Sequence, residues 1–229
     1  MAALVLAAGR GERLGARVPK AFVVLAGETL LERSIRSIAT SGVVGRILPV
    51  VAEADLDRLS GLRLDDVPGV GPGVAGGRER QDSMRAGLAA LPQEVRWVAV
   101  HDAARCLVSA SDIRRVVDVA RECGAAILAE RVRDTIKRVV EGRIVGTPPR
   151  DECWAAQTPQ VIRRDWLARG LEAAERAGRV ATDDAQLVEW IGHEVRVVES
   201  ESPNPKMTRP EDLIVAEAML ASRAGVETR

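Results

Sequence analysis

A chain of 229 residues with 33 basic and 33 acidic side chains has a formal net charge of zero, and 46% of it is hydrophobic. That length and composition suit one globular domain with a sizeable core, and the balanced charge removes any general field for nucleic acid or anionic membrane, so an anionic ligand has to be held by a local cluster. The three cysteines lack C-x-x-C spacing and there are two histidines, which argues against a disulfide framework, a zinc site or a histidine-rich metal centre.

Ala3 to Ala8 is an apolar run that reads as a buried strand; at Gly9 it gives way to a loop with Gly11, Gly15, Arg10, Arg13 and Arg17 that ends in Pro19-Lys20. Between Thr29 and Ser41, Leu30, Leu31, Ile35 and Ile38 recur at helical spacing, and Gly42 closes the helix. Arg46 to Ala52 reads as a strand despite Pro49, Glu53 to Leu59 as a short helix, and Val67 to Val70 as a weak strand in a Gly/Pro-rich stretch. Arg78 to Leu91 is a helix that starts directly after Gly76-Gly77, and Arg96 to Val100 is a strand that delivers His101-Asp102-Ala103-Ala104-Arg105. Ser111 to Cys123 is a helix with Ser111 as expected N-cap, followed by a strand from Gly124 to Ala129. This alternation predicts an α/β fold, a Rossmann-like, mostly parallel sheet with helices on both faces.

The rhythm breaks after that. Arg133 to Thr147 reads as two strands around Glu141-Gly142, a projecting hairpin within an arm at about 133–155 of the kind that pairs with another subunit. Trp154 to Ile162 is a strand, Arg164 to Ala177 a helix, and Thr182 to Trp190 a helix expected to be capped by Thr182. Glu194 to Val198 is the last strand, and Thr208-Arg209-Pro210-Glu211 has capping-box spacing for a final helix through Leu220. The opening apolar run lacks a basic flank, and no apolar stretch is long enough to span a membrane, so a cytoplasmic protein is expected, with no nucleic acid and no membrane as partner.

The opening loop fails as a dinucleotide fingerprint, because the third glycine of G-x-G-x-x-G is Leu14, and as a P-loop, because no glycine is followed by Lys-Ser or Lys-Thr. What remains is L-A-A-G-x-G-x-R-L followed by P-K. Small residues there let an anion approach main-chain N–H groups, and Arg13 and Lys20 are fixed cations beside it. Lysine is rare in this chain, with Lys20, Lys137 and Lys206 alone among 33 basic residues, and its compact ammonium is not interchangeable with a guanidinium. Asp102, at the carboxyl end of a central strand, stands where open α/β sheets bind ligands and is a candidate ligand for Mg²⁺, which takes one or two carboxylates plus phosphate oxygens. Asp102 as a turn cap is the bland reading. His101 reads as a packed histidine, since a phosphate monoester is already anionic at neutral pH and needs no strong base.

The opening string resembles the signature of nucleotidyltransferases. Together with Gly76-Gly77-x-x-Arg80-x-x-Ser83, Val100-His101-Asp102-Ala103-Ala104-Arg105, Val132 to Lys137, Gln157-Thr158-Pro159-Gln160, Thr182-Asp183-Asp184 and Lys206 to Leu213, it is similar to the 2-C-methyl-D-erythritol 4-phosphate cytidylyltransferase family of the non-mevalonate isoprenoid pathway. The resemblance runs in order from Ala7 to Leu220. It implies CTP and the polyol phosphate as ligands and Mg²⁺ as cofactor. Ala7, Ala8, Gly9, Gly11, Gly77 and Ser83 would bind nucleotide, and Arg13, Lys20, Asp102 and Lys206 would carry the chemistry, Asp102 with the metal. Asp102, Ala103, Arg105, Thr135, Arg150, Thr158 and Lys206 would hold or line the site of the acceptor. It also implies a homodimer in which Thr135 and Arg150 enter the neighbouring site.

Two departures stand out: Cys106 replaces a proline usual after HDAAR, and Arg78 stands where an acidic residue is frequent. A cytidylyltransferase for another polyol phosphate, ribitol 5-phosphate above all, shares most of the nucleotide motifs. A non-catalytic nucleotide-binding module is the alternative of a different class, against which Arg13, Lys20 and Asp102 are all present.

Overall fold

The computed structural model describes residues 1–9 and 18–227, so Gly11 and Arg13 lie outside the described residues. The strands are β1 (Ala2–Leu6), β2 (Val24–Leu25), β3 (Glu28–Thr29), β4 (Arg46–Val51), β5 (Val74–Ala75), β6 (Trp97–Asp102), β7 (Ala125–Arg131), β8 (Arg138–Val140), β9 (Arg143–Gly146), β10 (Trp154–Arg163) and β11 (Arg196–Glu199). The helices are α1 (Leu30–Thr40), α2 (Arg80–Ala90), α3 (Ala110–Cys123), α4 (Arg164–Arg176), α5 (Asp184–Glu189) and α6 (Pro210–Glu227). Seven strands form one sheet in the order β11-β7-β10-β6-β1-β4-β5. All its pairings are parallel except those of β10, which runs antiparallel to both β6 and β7.

The helices cover both faces because the central strands alternate between two cores. Ala3 and Val5 of β1 point to the side where Leu31, Ile35 and Ile38 of α1 meet Ile113, Val116 and Val117 of α3. Ala2, Leu4 and Leu6 point to the other side, against Met84 and Leu88 of α2, Leu167 and Leu171 of α4, and Leu187 and Val188 of α5. Strands buried on two faces read as continuous apolar runs, which is why β1, β4 and β6 were visible without any alternation. Pro49 is tolerated inside β4 because the odd-numbered residues of that strand direct their main-chain groups outward: Ile47 N bonds Gly69 O at 2.8 Å, and Gly76 N bonds Val51 O at 2.7 Å. The missing N–H of Pro49 falls between them, away from β1.

Several boundaries differ from the sequence expectation. The N-cap of α3 is Ser109, whose hydroxyl accepts from Asp112 N at 3.1 Å, not Ser111. Asp183, not Thr182, caps α5 by accepting from Gln186 N at 3.0 Å. At α6 the expected Thr208/Glu211 box is replaced by Asp212, whose Oδ2 accepts from the main-chain N–H of Thr208 and Arg209. In each case a second acceptor stood close by, and tertiary packing chose between them. The helix expected at 53–59 is a 3-10 helix from Glu53 to Gly61, and the weak strand near Val70 is a single bridge to Ile47. The short strands β2, β3 and β5 were not expected.

The hairpin is present as a separate two-stranded sheet of β8 and β9. Glu141 and Gly142, with φ of 49° and 76°, form its two-residue turn; both angles lie in the left-handed region that such turns require. Among the described residues no helix is long and apolar enough to cross a membrane.

Candidate active site

The strand order changes direction at β1: β4 lies on one side of it and β6 on the other, which opens a crevice beyond their carboxyl ends. A cavity of about 350 Å³ sits there. Its floor is the main chain after β1, Ala7, Ala8 and Gly9, where Ala7 N is tied to Val50 O at 2.7 Å. One wall is the start of α2 with Gly77 and Ser83, and the other is Asp102 with Ala103 from the end of β6. Lys20 and Lys206 line it from two loops. Lys20 opens a short 3-10 turn, Lys20–Phe22, set by Pro19.

The glycine pair is explained by closeness. A Cβ on Gly76 would stand 2.7 Å from the Ala8 methyl and 2.8 Å from the Ser83 hydroxyl, and one on Gly77 would stand 2.2 Å from Asp82 Cβ. Only glycine lets this loop press against Ala8 on one side and the first turn of α2 on the other. Ser83 is 3% exposed; its hydroxyl accepts from Gly77 N at 3.2 Å and donates to Glu79 O at 3.2 Å, which fixes the loop's curvature.

Asp102 is the electrostatic centre. Lys206 Nζ donates to its Oδ2 at 2.6 Å and Arg80 Nε to its Oδ1 at 3.2 Å, while its own N–H donates to the Thr158 hydroxyl at 3.0 Å. Burial alone would raise this carboxyl, but Arg80 and Lys206 outweigh it and hold the group well below the ordinary carboxylate range, so it is an anion at neutral pH. Lys206 reaches it from a tightly tied loop. Met207 N bonds Ala104 O at 2.8 Å, Asn204 Nδ2 bonds Gln157 Oε1 and Thr158 O at 3.0 Å, and buried Asp112 accepts from Glu201 N at 3.1 Å.

His101 is no base. Burial pushes its pKa down to about 4, and its Nδ1 lies 3.1 Å from the Thr158 hydroxyl. The same hydroxyl oxygen accepts from Asp102 N, so Thr158 links the imidazole to the main chain of the strand end. Cys106 fills a small apolar cluster with Leu25, Leu30, Leu107 and Met207; burial raises its thiol to about 11, so it is packing rather than chemistry.

The structure thus gathers Ala7, Ala8, Gly9, Lys20, Gly77, Ser83, Asp102, Ala103 and Lys206 around one cavity. Arg105 and Thr158 stand behind this wall. Arg105 donates to Asn204 O at 2.8 Å and Ala156 O at 3.1 Å, and Thr158, 4% exposed, supports the main chain of Asp102. Thr135 and Arg150 belong to the exposed arm and do not line the cavity. Arg78, Glu79 and Arg80 line it without having been assigned a role from sequence. The signal for Arg80 was its place in the first turn after the glycine pair.

A family described as "IspD: 2-C-methyl-D-erythritol 4-phosphate cytidylyltransferase" matches residues 1–222. The chain belongs to this family. It is 45% identical over 225 residues to the 2-C-methyl-D-erythritol 4-phosphate cytidylyltransferase of Rhodococcus jostii, across 97% of this chain and 96% of that one. It is 41% identical over 228 residues to the enzyme so named of Pelotomaculum thermopropionicum, across 98% and 96% of the two chains. Among solved structures, 4-diphosphocytidyl-2C-methyl-D-erythritol synthase from Anaerococcus prevotii is similar with a TM-score of 0.85 at 27% identity, over 96% of this chain and 97% of that one. The 2-C-methyl-D-erythritol 4-phosphate cytidylyltransferase from Thermus thermophilus is similar with a TM-score of 0.77 at 34% identity, over 95% and 97%.

For a member of this cytidylyltransferase family the cavity has the right chemistry. A main-chain floor between two lysines suits a triphosphate, and the Asp102 carboxylate is a hard oxygen donor at the same edge. Among the described residues no three acidic, histidine or cysteine side chains come together as a metal cage. Both Asp102 oxygens carry a cationic partner, Arg80 on Oδ1 and Lys206 on Oδ2, so a divalent cation held by Asp102 would take the place of the Lys206 contact and complete its shell with phosphate oxygens and water, as Mg²⁺ commonly does.

Proposed function

We propose that this protein transfers CMP from CTP to 2-C-methyl-D-erythritol 4-phosphate and releases pyrophosphate, in non-mevalonate isoprenoid precursor biosynthesis. The observation that carries this reading is the convergence of Lys20, Asp102 and Lys206, from three separate segments, on a cavity floored by the Ala7-Ala8-Gly9 main chain.

The reaction is an in-line displacement. An oxygen of the acceptor phosphate attacks the α-phosphorus of CTP, the bond from that phosphorus to the bridging oxygen of the β-phosphate breaks, and pyrophosphate departs with the electron pair. The acceptor phosphate is an anion at neutral pH, so no residue needs to take its proton, in keeping with a buried, neutral His101. Catalysis then reduces to positioning and charge. Lys20 sits on the triphosphate side and Lys206 beside Asp102, and each fixed cation at a developing charge contributes roughly 3–4 kcal/mol. Arg13, outside the described residues, is assigned to the same task from its place in the opening loop. Mg²⁺, held by Asp102, would supply neutralisation of the triphosphate and the leaving pyrophosphate.

The acceptor half of the site is assigned to a homodimer. Ile144 and Val140 of the hairpin are 64% and 55% exposed, and a two-stranded hairpin with apolar side chains in water is marginal on its own. Packing of each arm on a second copy would cover them and carry Thr135 and Arg150 to the partner's cavity. A cytoplasmic location goes with this reading. Pyrophosphate release, measured with each nucleoside triphosphate against methylerythritol phosphate and ribitol 5-phosphate, tests it: release with CTP and methylerythritol phosphate is expected. Release with the ribitol compound alone would reassign the acceptor, and none with any pair would leave a binding module.

A further inference from the structure

Two motifs that lie 104 residues apart meet at Arg80. Its Nη1 and Nη2 donate to the two carboxylate oxygens of Asp184, each at 2.7 Å, while its Nε donates to Asp102 Oδ1. Asp184 is 1% exposed in the first turn of α5. The main-chain N–H groups of residues 184 and 185 are both taken by Gln160 Oε1 at 2.9 Å. Gln160 in turn is 1% exposed and stands in β10 opposite Val100, two residues before Asp102 on β6. The hold on Arg80 is therefore referred back to the centre of the sheet.

The two oxygens of Asp102 have unequal partners as a result. Oδ1 faces a guanidinium locked by a bidentate pair, whereas Oδ2 faces Lys206, whose side chain is 43% exposed and hangs from a loop. A buried ion pair is weak evidence for stability, because desolvation offsets its attraction. Its position against the cavity points to another use. Arg80 lines the cavity and, without Asp184, its charge would be free to turn toward a triphosphate. The fork geometry matters too, since a lysine cannot grip Asp184 with two donors and reach Asp102 with a third.

We propose that Arg80, gripped by Asp184, is a positioning residue of the transfer reaction: it holds Oδ1 of Asp102 so that Oδ2, with Lys206 on it, is the oxygen set toward nucleotide and acceptor. The inference deepens the cytidylyltransferase reading and rests on it for its kinetic test. Asp184 acts through Arg80, and Gln160 through Asp184.

The double variant Arg80→Met, Asp184→Leu removes both members of the Arg80–Asp184 pair together and leaves Asp102 with Lys206 as its cation, and Arg80→Lys keeps the cation but loses the fork. In both, kcat should fall about 10–100-fold, the range seen when the partner that orients a functional carboxylate or imidazole is lost. Melting temperature should stay at the wild-type value, and the acceptor KM should change little. Wild-type kcat in either variant would overturn the proposal, as would a loss of kcat that tracks a loss of melting temperature. Failure of the parent reading is seen separately, as a wild-type protein that releases no pyrophosphate from CTP with methylerythritol phosphate. CTP affinity by calorimetry then decides: binding weakened about tenfold or more in both variants supports the positioning role, and unchanged binding refutes it.

Discussion

At the strand ends, Asp102 meets Arg80 and Lys206, Arg80 meets Asp184, and the loop that brings Lys206 is tied by Asp112, Arg105 and Arg223. In the arm, β8 and β9 pair with each other in a sheet of their own, and Val139, Val140, Ile144 and Val145 are exposed among the described residues. One region is tied many times over within a single chain; the other is an exposed two-stranded sheet that, under the proposed homodimer, a second copy would cover. The difference divides the reaction. Among the described residues Lys20, Gly77, Asp102 and Lys206 are gathered at one cavity in a single copy, as electrostatic catalysis requires, whereas Thr135 and Arg150, proposed to serve the acceptor, stand on the arm away from it.

The largest effect expected is on the preorganised side. Lys20→Ala should lower turnover by roughly 10²–10³ while the fold stays intact, because Lys20 lines the cavity rather than the core. Steady-state pyrophosphate release checks this, and near-wild-type turnover would remove Lys20 from the mechanism. Burial beneath the cavity should also show in the pH dependence of stability. His101 has its pKa depressed by burial from 6.5 to about 4, so the unfolded chain takes up this proton before the folded one does. The folded state is then at full advantage above about pH 6.5 and loses up to roughly 3 kcal/mol as pH falls to about 4. Urea midpoints at neutral and mildly acid pH should show this slope in the wild type and a flatter one in His101→Gln; equal slopes would mean the imidazole is not held neutral.

A smaller effect belongs to the arm. Ile144→Asp should weaken self-association about tenfold or more in analytical ultracentrifugation, from one buried charge at an apolar interface, while leaving CTP binding to each copy intact. Unchanged association would remove the arm from the interface. The smallest contrast is between cysteines. At mildly alkaline pH an alkylating reagent should label the partly exposed Cys123 and Cys153 and leave Cys106 untouched, since burial holds its thiol near 11; rapid labelling of Cys106 in folded protein would mean its cluster opens.

Much of the architecture could be read from the chain. Apolar runs ending at Gly9 and Asp102 gave the two central strands, and helical spacing gave α1, α3 and α4 to within a few residues. The site residues followed from the same places, since small residues and fixed charges at strand ends are a local pattern. What was misread was local competition between equivalent groups. Ser109 and Ser111, or Thr182 and Asp183, are both good caps, and the one used depends on which the fold brings to the helix end.

Sequence by itself determined the family and the two-sided packing of a mostly parallel sheet, because periodicity and motif residues act at or near their own positions, and the family resemblance named Lys20, Gly77, Asp102 and Lys206 for one site. Tertiary structure alone decided that β10 runs against its neighbours, that Arg105 serves two carbonyls, and that Arg80 bridges Asp102 to Asp184. Those facts join segments as much as 104 residues apart. An arginine offers five donors to whatever carboxylates and carbonyls lie within reach, and only the folded chain sets what is within reach.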